Sequence, residues 1–173
     1  GLARSIELKQ FDIQRLNDPL WIHDQKMLGA TGYVDLQAGN PEGIRQQISY
    51  YRELGLIHFH LMPLFARPAG ENDDGYAVSS YHDIDPPLGA MEELELLAQE
   101  LREAGISLVV DFIFNHTANN HEWACNAKSG DPEFQGYYWM FDREEETTAW
   151  QQHLWPIFPD RGGSFTWCED SQK

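Results

Sequence analysis

From residue 28 to residue 114 the apolar positions switch between short strand-like runs and a helical period of 3.6, predicting strand, helix, strand, helix, strand. Leu28 to Leu36 (LGATGYVDL) is short, mostly apolar and rich in β-formers, which makes it the first strand. Asn40-Pro41-Glu42 opens a helix, with an Asn cap, Pro at the first helical position and an acid in the first turn. Ile44, Ile48, Tyr51 and Leu54 keep helical spacing, and Gly55 stands where a helix-ending glycine belongs. Leu56 to Leu64 (LIHFHLMPL) is almost continuously apolar, predicting a second strand buried on both faces. A long polar loop, Arg67 to Pro87, follows it. Met91 to Glu103 carries Leu94, Leu97, Ala98 and Leu101 on one helical face and stops at Gly105; Ile106 to Phe114 (ISLVVDFIF) is the third strand. Strand–helix repeats with short connections specify parallel strands and right-handed crossovers. The fold class is therefore α/β.

On either side the rhythm fails. Residues 1–27 hold Ile6, Leu8, Phe11, Ile13 and Leu16 among polar neighbours and predict a peripheral helical arm. Residues 115–173 hold five of the six tryptophans, dense Gly/Pro punctuation and the run Arg143-Glu144-Glu145-Glu146. They predict an irregular excursion, with no amphipathic helix of the earlier quality and no fourth strand–helix pair.

Composition narrows the function classes. Twenty-eight acidic residues against 12 basic give a net charge of −16, and 42% hydrophobic residues with 13% aromatics argue for a packed core rather than disorder. The second half is the more acidic: residues 1–86 carry 7 basic and 12 acidic side chains, residues 87–173 carry 5 and 16. Nucleic-acid or anionic-membrane binding needs clustered Lys and Arg, so neither is expected. No apolar run approaches the roughly 18 to 20 residues that span a bilayer. The start, Gly1-Leu2-Ala3-Arg4-Ser5, lacks Met and the pattern of a signal peptide, and reads as a processing boundary. Cys125 and Cys168 are too few for a disulfide framework. Reduced thiols in a cytoplasmic protein are expected, with a single disulfide left open.

Three segments carry candidate chemistry. Asp111 interrupts an apolar strand, where a carboxylate is costly unless paired, and Asn115 and His116 follow at the C-terminal end, where parallel α/β folds collect functional groups. A buried polar network that only fixes the loop is the competing reading. In Asp73-Asp74-Gly75-Tyr76 an acid three residues before an aromatic suits a sugar hydroxyl and its apolar face, although Asp-Gly is also a stock turn. His58 and His60 alternate onto one face of the second strand, but a metal pair needs a third ligand that no useful spacing supplies, so they read as core or barrel-lining. His116, His121 and Glu122 lack the one-face helical geometry of a zinc motif. Tyr137, Tyr138, Trp139 and Phe141 read as a small core of the excursion.

The strand ending Asp-x-x-x-Asn-His, at Asp111, Asn115 and His116, resembles the first conserved region of the α-amylase family, glycoside hydrolase family 13. YVDL-x-AG (33–39), HLMPLF (60–65), GYAVSSY (75–81), DFIFNHT (111–117), HEWA (121–124) and IFPD (157–160) resemble its amylosucrase and sucrose hydrolase branch. The ordered set covers residues from about 20 to 167. The resemblance implies a TIM (β/α)8 barrel, with strands one to three and helices one and two in residues 28–114. It implies that residues 115–173 begin a B domain inserted after strand three, with residues 1–27 as the helical arm. Tyr76 matches the aromatic under the glucosyl ring, Asp73 an acid closing that pocket, and His116 a histidine hydrogen-bonded to the same sugar. Asp111 and Asn115 match supporting residues at the barrel mouth.

The same resemblance implies no cofactor and no obligatory calcium, with sucrose and α-glucan as partners. Family 13 enzymes place an Asp nucleophile after strand four, a Glu acid/base after strand five and a second Asp after strand seven. Those strands are expected beyond residue 173, because a (β/α)8 barrel typically takes about 250 residues. The expectation is an N-terminal portion of a retaining transglucosidase, inactive alone, whose open strand edges favour self-association. Trehalose synthase or α-glucosidase relatives, and a non-catalytic carbohydrate- or protein-binding module, are the alternatives.

Overall fold

Parallel pairing is what the strand–helix rhythm demands, and it is present in the computed structural model, which describes residues 5–70, 72–155 and 163–173. The elements run α1 (Ile6–Asn17), β1 (Gly29–Gly32), α2 (Val34–Ala38), α3 (Pro41–Arg45), α4 (Ile48–Leu54), β2 (His58–Leu61), β3 (Phe65–Ala66) and β4 (Ser80–Ile84). They continue with α5 (Met91–Glu103), β5 (Ser107–Val110), α6 (Glu122–Lys128), α7 (Pro132–Gln135) and α8 (Glu144–Gln151). The IFPD segment lies outside the described residues. Two compact units emerge, one of residues 1–64 and 84–112, the other of 65–83 and 113–173.

In the first unit β1, β2 and β5 form one sheet in that order, every pairing parallel. Gly29, His58 and Ser107 align at one end and Gly32, Leu61 and Val110 at the other. The core joins Phe59 and Leu61 of the sheet to Ile44, Tyr51, Leu97 and Leu101 of the helices, with Leu56 and Ile106 just ahead of their strands. The Tyr51 and Phe59 rings lie 5.0 Å apart, inside the range of favourable aromatic pairs. The Tyr51 hydroxyl donates to Gln47 Oε1 at 2.8 Å, and burial raises its pKa, which keeps it a phenol.

Several boundaries differ from the pattern-based reading, each for a local reason. The first strand stops at Gly32 rather than Leu36, and Val34–Ala38 coils into α2, with Asp35 in its first turn and Gly39 (φ 83°) closing it. The helix opened by Asn40, whose Oδ1 accepts from Gly43 N at 2.9 Å, breaks at Gln46–Gln47 into α3 and α4. Gly43 is fixed by packing, since a Cβ there would sit 2.1 Å from the Ala38 carbonyl oxygen. The second strand is not buried on both faces. Phe59 and Leu61 are buried against the helices, whereas His58 and His60 point the other way and are half-buried. The α5 helix runs over the span expected, and the Glu93 carboxylate accepts from Ala90 N–H at 2.8 Å to satisfy an otherwise free first-turn donor.

In the second unit β3 pairs with β4, and α6, α7 and α8 follow. The loop from Arg67 to Pro87 thus contains a strand, and the excursion after 114 contains three short helices that periodicity does not reveal. Side-chain caps hold the first two. His121 Nδ1 accepts from Trp123 N at 3.1 Å and Asp131 Oδ1 from Glu133 N at 3.0 Å, with Pro132 in the first helical position. Cys125 and Cys168 are free thiols. Among the described residues no helix is long and apolar enough to cross a membrane.

Candidate functional site

The site begins with a strained turn. Asn72 Oδ1 accepts from Gly75 N at 3.1 Å, while Asn72 Nδ2 donates to Gly70 O at 2.9 Å. Between them Asp73 (φ 52°) and Asp74 (φ 54°) both sit in the left-handed region, followed by Gly75 at φ 95°. Consecutive non-glycine residues there cost on the order of 1–3 kcal/mol each and persist only where the surroundings impose them. This turn delivers Tyr76.

Across 40 residues of sequence, His116 Nε2 meets the Tyr76 carbonyl oxygen at 2.9 Å, and Asn115 Nδ2 meets His116 Nδ1 at 2.7 Å. A carbonyl only accepts and an amide NH2 only donates, so these partners fix the neutral imidazole with its proton on Nε2. Below, Ala118 N donates to Val78 O at 2.8 Å and Ser79 Oγ to Asn120 Oδ1 at 2.7 Å. Tyr81 Oη reaches Ile113 O at 2.6 Å and His116 O at 3.3 Å. Val78, Ile113 and Ala118 are buried beneath this seam. Segments 75–81 and 113–121 are therefore stitched together along their length.

An open cleft of about 690 Å³ in this unit is lined by Asp73 and Ala77 from the first segment and by His116 to Asn120, Cys125 and Lys128 from the second. Lys128 Nζ donates to the Asn119 carbonyl at 2.7 Å and to its Oδ1 at 2.8 Å, so the wall carries a fixed cation. Of the residues singled out from sequence, Asp73, Tyr76, Asn115 and His116 belong to this unit. Asp111 belongs to the first unit, where its Oδ1 lies 2.9 Å from His60 Nε2. His60 is thus a partner for a carboxylate just past β5, which ends at Val110 rather than at Phe114, and the His58 Nδ1 lies 3.0 Å from Met27 Sδ. Among the described residues no group of three or more His, Cys, Asp or Glu is placed to hold a metal ion.

Sequence reasoning gave no individual role to Tyr81, Ser79 or Asn120, and weighed His121 only as a zinc ligand. The available signal was a tyrosine in a polar loop, whose hydroxyl must find partners once its ring is buried. Burial pushes the Tyr81 pKa up, which preserves it as a donor. His121 is 4% exposed, and its burial lowers its pKa against a smaller opposing pull from Glu122. A folded-state value below the unfolded one means that the unfolded chain binds the extra proton. Stability from His121 is thus present above about pH 6.5 and lost as pH falls below it. Thermal melts between pH 7 and pH 5 are expected to show a steeper acid loss in wild type than in His121→Asn, which keeps a capping acceptor without titrating. Parallel pH profiles would remove His121 from the account.

The family described as the alpha amylase catalytic domain matches residues 18–172. Maltase 1 of Drosophila virilis is 28% identical over 138 residues, covering 78% of this chain and 21% of that protein. The trehalose-6-phosphate hydrolase of Bacillus licheniformis, as a mutant in complex with PNG, superposes with a TM-score of 0.61 at 28% identity, covering 70% of this chain and 23% of that one. A MutB mutant in complex with the substrate sucrose gives a TM-score of 0.60 at 26% identity, covering 70% of this chain and 22% of that one. The chain spans about a fifth of the length of the curated relatives it matches. Matched over most of its length, from the helical arm's end to its last turn, this chain belongs to the alpha-amylase catalytic domain family.

Proposed function

We propose that this chain is the first part of a retaining α-glucosyl-processing enzyme, in which its three parallel strands open a (β/α)8 barrel and residues 115–173 begin the B domain. The observation that carries the reading is the direct bond from His116 to the Tyr76 backbone, which unites the Asn-His motif with the Gly-Tyr motif in one structure. Tyr76 would stack under the glucosyl ring, with Asp73 and His116 lining the pocket beside it. Asp111 and Asn115 act as supports, one holding His60 and the other holding the His116 ring. The complete enzyme would form a β-glucosyl–aspartate intermediate and pass glucose to an acceptor sugar or to water through an oxocarbenium-like transition state.

We assign sucrose as donor and α-glucan as acceptor on the amylosucrase-like motifs, GYAVSSY above all. MutB, crystallised with sucrose, lends that choice support. A second reading, hydrolysis of maltose-type substrates in a glucosidase, is favoured by the maltase relative. Initial rates of the full-length protein on sucrose, maltose and trehalose decide between them. Sucrose turnover with glucan formation supports the first, and maltose hydrolysis without it supports the second. In that protein Tyr76→Ala is expected to lower kcat/KM by about 1–3 kcal/mol, roughly 5- to 150-fold. An unchanged value would withdraw Tyr76 from the site.

A further inference from the structure

The hydroxyl of Tyr81 has one proton and two carbonyls within reach. Its 2.6 Å contact to Ile113 O is a strong, short bond, and the His116 carbonyl lies 3.3 Å away as a weaker second acceptor. The ring is wedged among Phe65 (5.7 Å, edge-on), His121 (5.4 Å) and Trp123 (5.8 Å), so the hydroxyl cannot swing to another partner without breaking that packing. Ile113 and His116 bracket the loop carrying Asn115 and the His116 ring. That ring donates to the Tyr76 carbonyl, and Tyr76 follows three consecutive positive-φ residues that have little conformational preference of their own to hold them in place.

We propose that Tyr81 is a positioning residue. Its hydroxyl pins the 113–116 loop, the loop fixes the His116 imidazole, and the imidazole holds the Tyr76 backbone and hence its ring. The inference rests on the reading of Tyr76 as the sugar platform and adds the group that sets where the platform stands. Neither Tyr81 nor Ile113 needs to touch a sugar. A shift of the loop would be passed on through the His116–Tyr76 bond as a displaced ring, and small displacements at a binding surface cost rate out of proportion to their size.

The test is a double-mutant cycle in the full-length protein, with kcat/KM measured on sucrose and on 4-nitrophenyl α-glucoside well below the melting temperature of every variant. Tyr81→Phe keeps the ring and its contacts with Phe65, His121 and Trp123 and removes only the hydroxyl. It is expected to lower kcat/KM about 3- to 10-fold, the range of one lost hydrogen bond. In the Tyr76→Ala background the same change is expected to cost clearly less, because the platform it positions through His116 is gone. An equal loss in both backgrounds would show that Tyr81 acts on the fold in general and overturns the proposal. So would a wild-type rate for Tyr81→Phe while Tyr76→Ala is impaired. If Tyr76→Ala itself runs at the wild-type rate, the sugar-platform reading fails, and the role assigned to Tyr81 falls with it. Melting temperatures recorded alongside separate a rate effect from partial unfolding.

Discussion

Replacing Phe59 by alanine is expected to destabilise the first unit by about 3–5 kcal/mol. Phe59 is 1% exposed and stands on the central strand of the three, where its ring packs against Tyr51 at 5.0 Å in the core cluster that also holds Leu61, Leu97 and Leu101. Removing it forfeits the transfer energy of a whole aromatic ring and leaves a cavity that a central strand, pinned on both edges by backbone hydrogen bonds, closes poorly. Val109, 36% exposed on β5, provides the contrast: Val109→Ala is expected to cost about 1 kcal/mol or less. Native-state hydrogen exchange of the β2 amides reads the loss in the unit concerned, independently of how the other unit melts. Equal protection in the two variants would mean that the core is not centred on β2.

That core was legible because it repeats. Leu94, Leu97 and Leu101 mark a helical face, and Gly105 ends it with φ 78°, a conformation that costs glycine nothing. The three parallel strands followed from the same rhythm. What escaped was set by contacts too local or too distant for a period to register. Residues 34–36 read as strand because Tyr33 and Val34 are β-formers in a mostly apolar run, yet the ladder ends at Gly32 and Asp35 lies in the first turn of a helix. The helices after 121 are four to eight residues long, too short to repeat an amphipathic pattern, and α6 and α7 rest on the His121 and Asp131 caps. His60 and Asp111 were each noticed, but their pairing spans 51 residues and depends on the register of adjacent strands.

The site divides in the same way. Tyr76, Asn115 and His116 were identified from motif resemblance, which carries residue types and order. It does not carry which atom bonds to which. The resemblance gives His116 a bond to sugar, while in the structure both of its ring nitrogens are engaged by Tyr76 and Asn115. A sugar hydroxyl reaching Nε2 would therefore have to compete with the Tyr76 carbonyl. On the proposed reading, sugar binding would then be coupled to the conformation of the 73–76 turn, which carries the strained Asp73–Asp74 pair.

Residues 1–173 alone are expected to release no glucose or fructose from sucrose. Retaining cleavage of a glycoside needs a nucleophilic carboxylate and an acid/base carboxylate about 5–5.5 Å apart on opposite sides of the scissile bond. The family resemblance puts both, with their third partner, after barrel strands four, five and seven, whereas the parallel sheet among the described residues is built from three strands. The carboxylates present here have other work: Asp111 is 2.9 Å from His60, and Asp73 sits in the turn that delivers Tyr76. Binding groups without the reacting pair can lower the energy of a bound sugar but offer no path for the glucosyl group, and uniform binding of this kind leaves the chemical step untouched. Incubation of pure 1–173 with sucrose, read by enzymatic detection of free fructose over many hours, tests this directly. Sustained release above a buffer blank would show that a competent carboxylate pair lies within these residues and would overturn the assignment of Asp73 and Asp111 to binding and support.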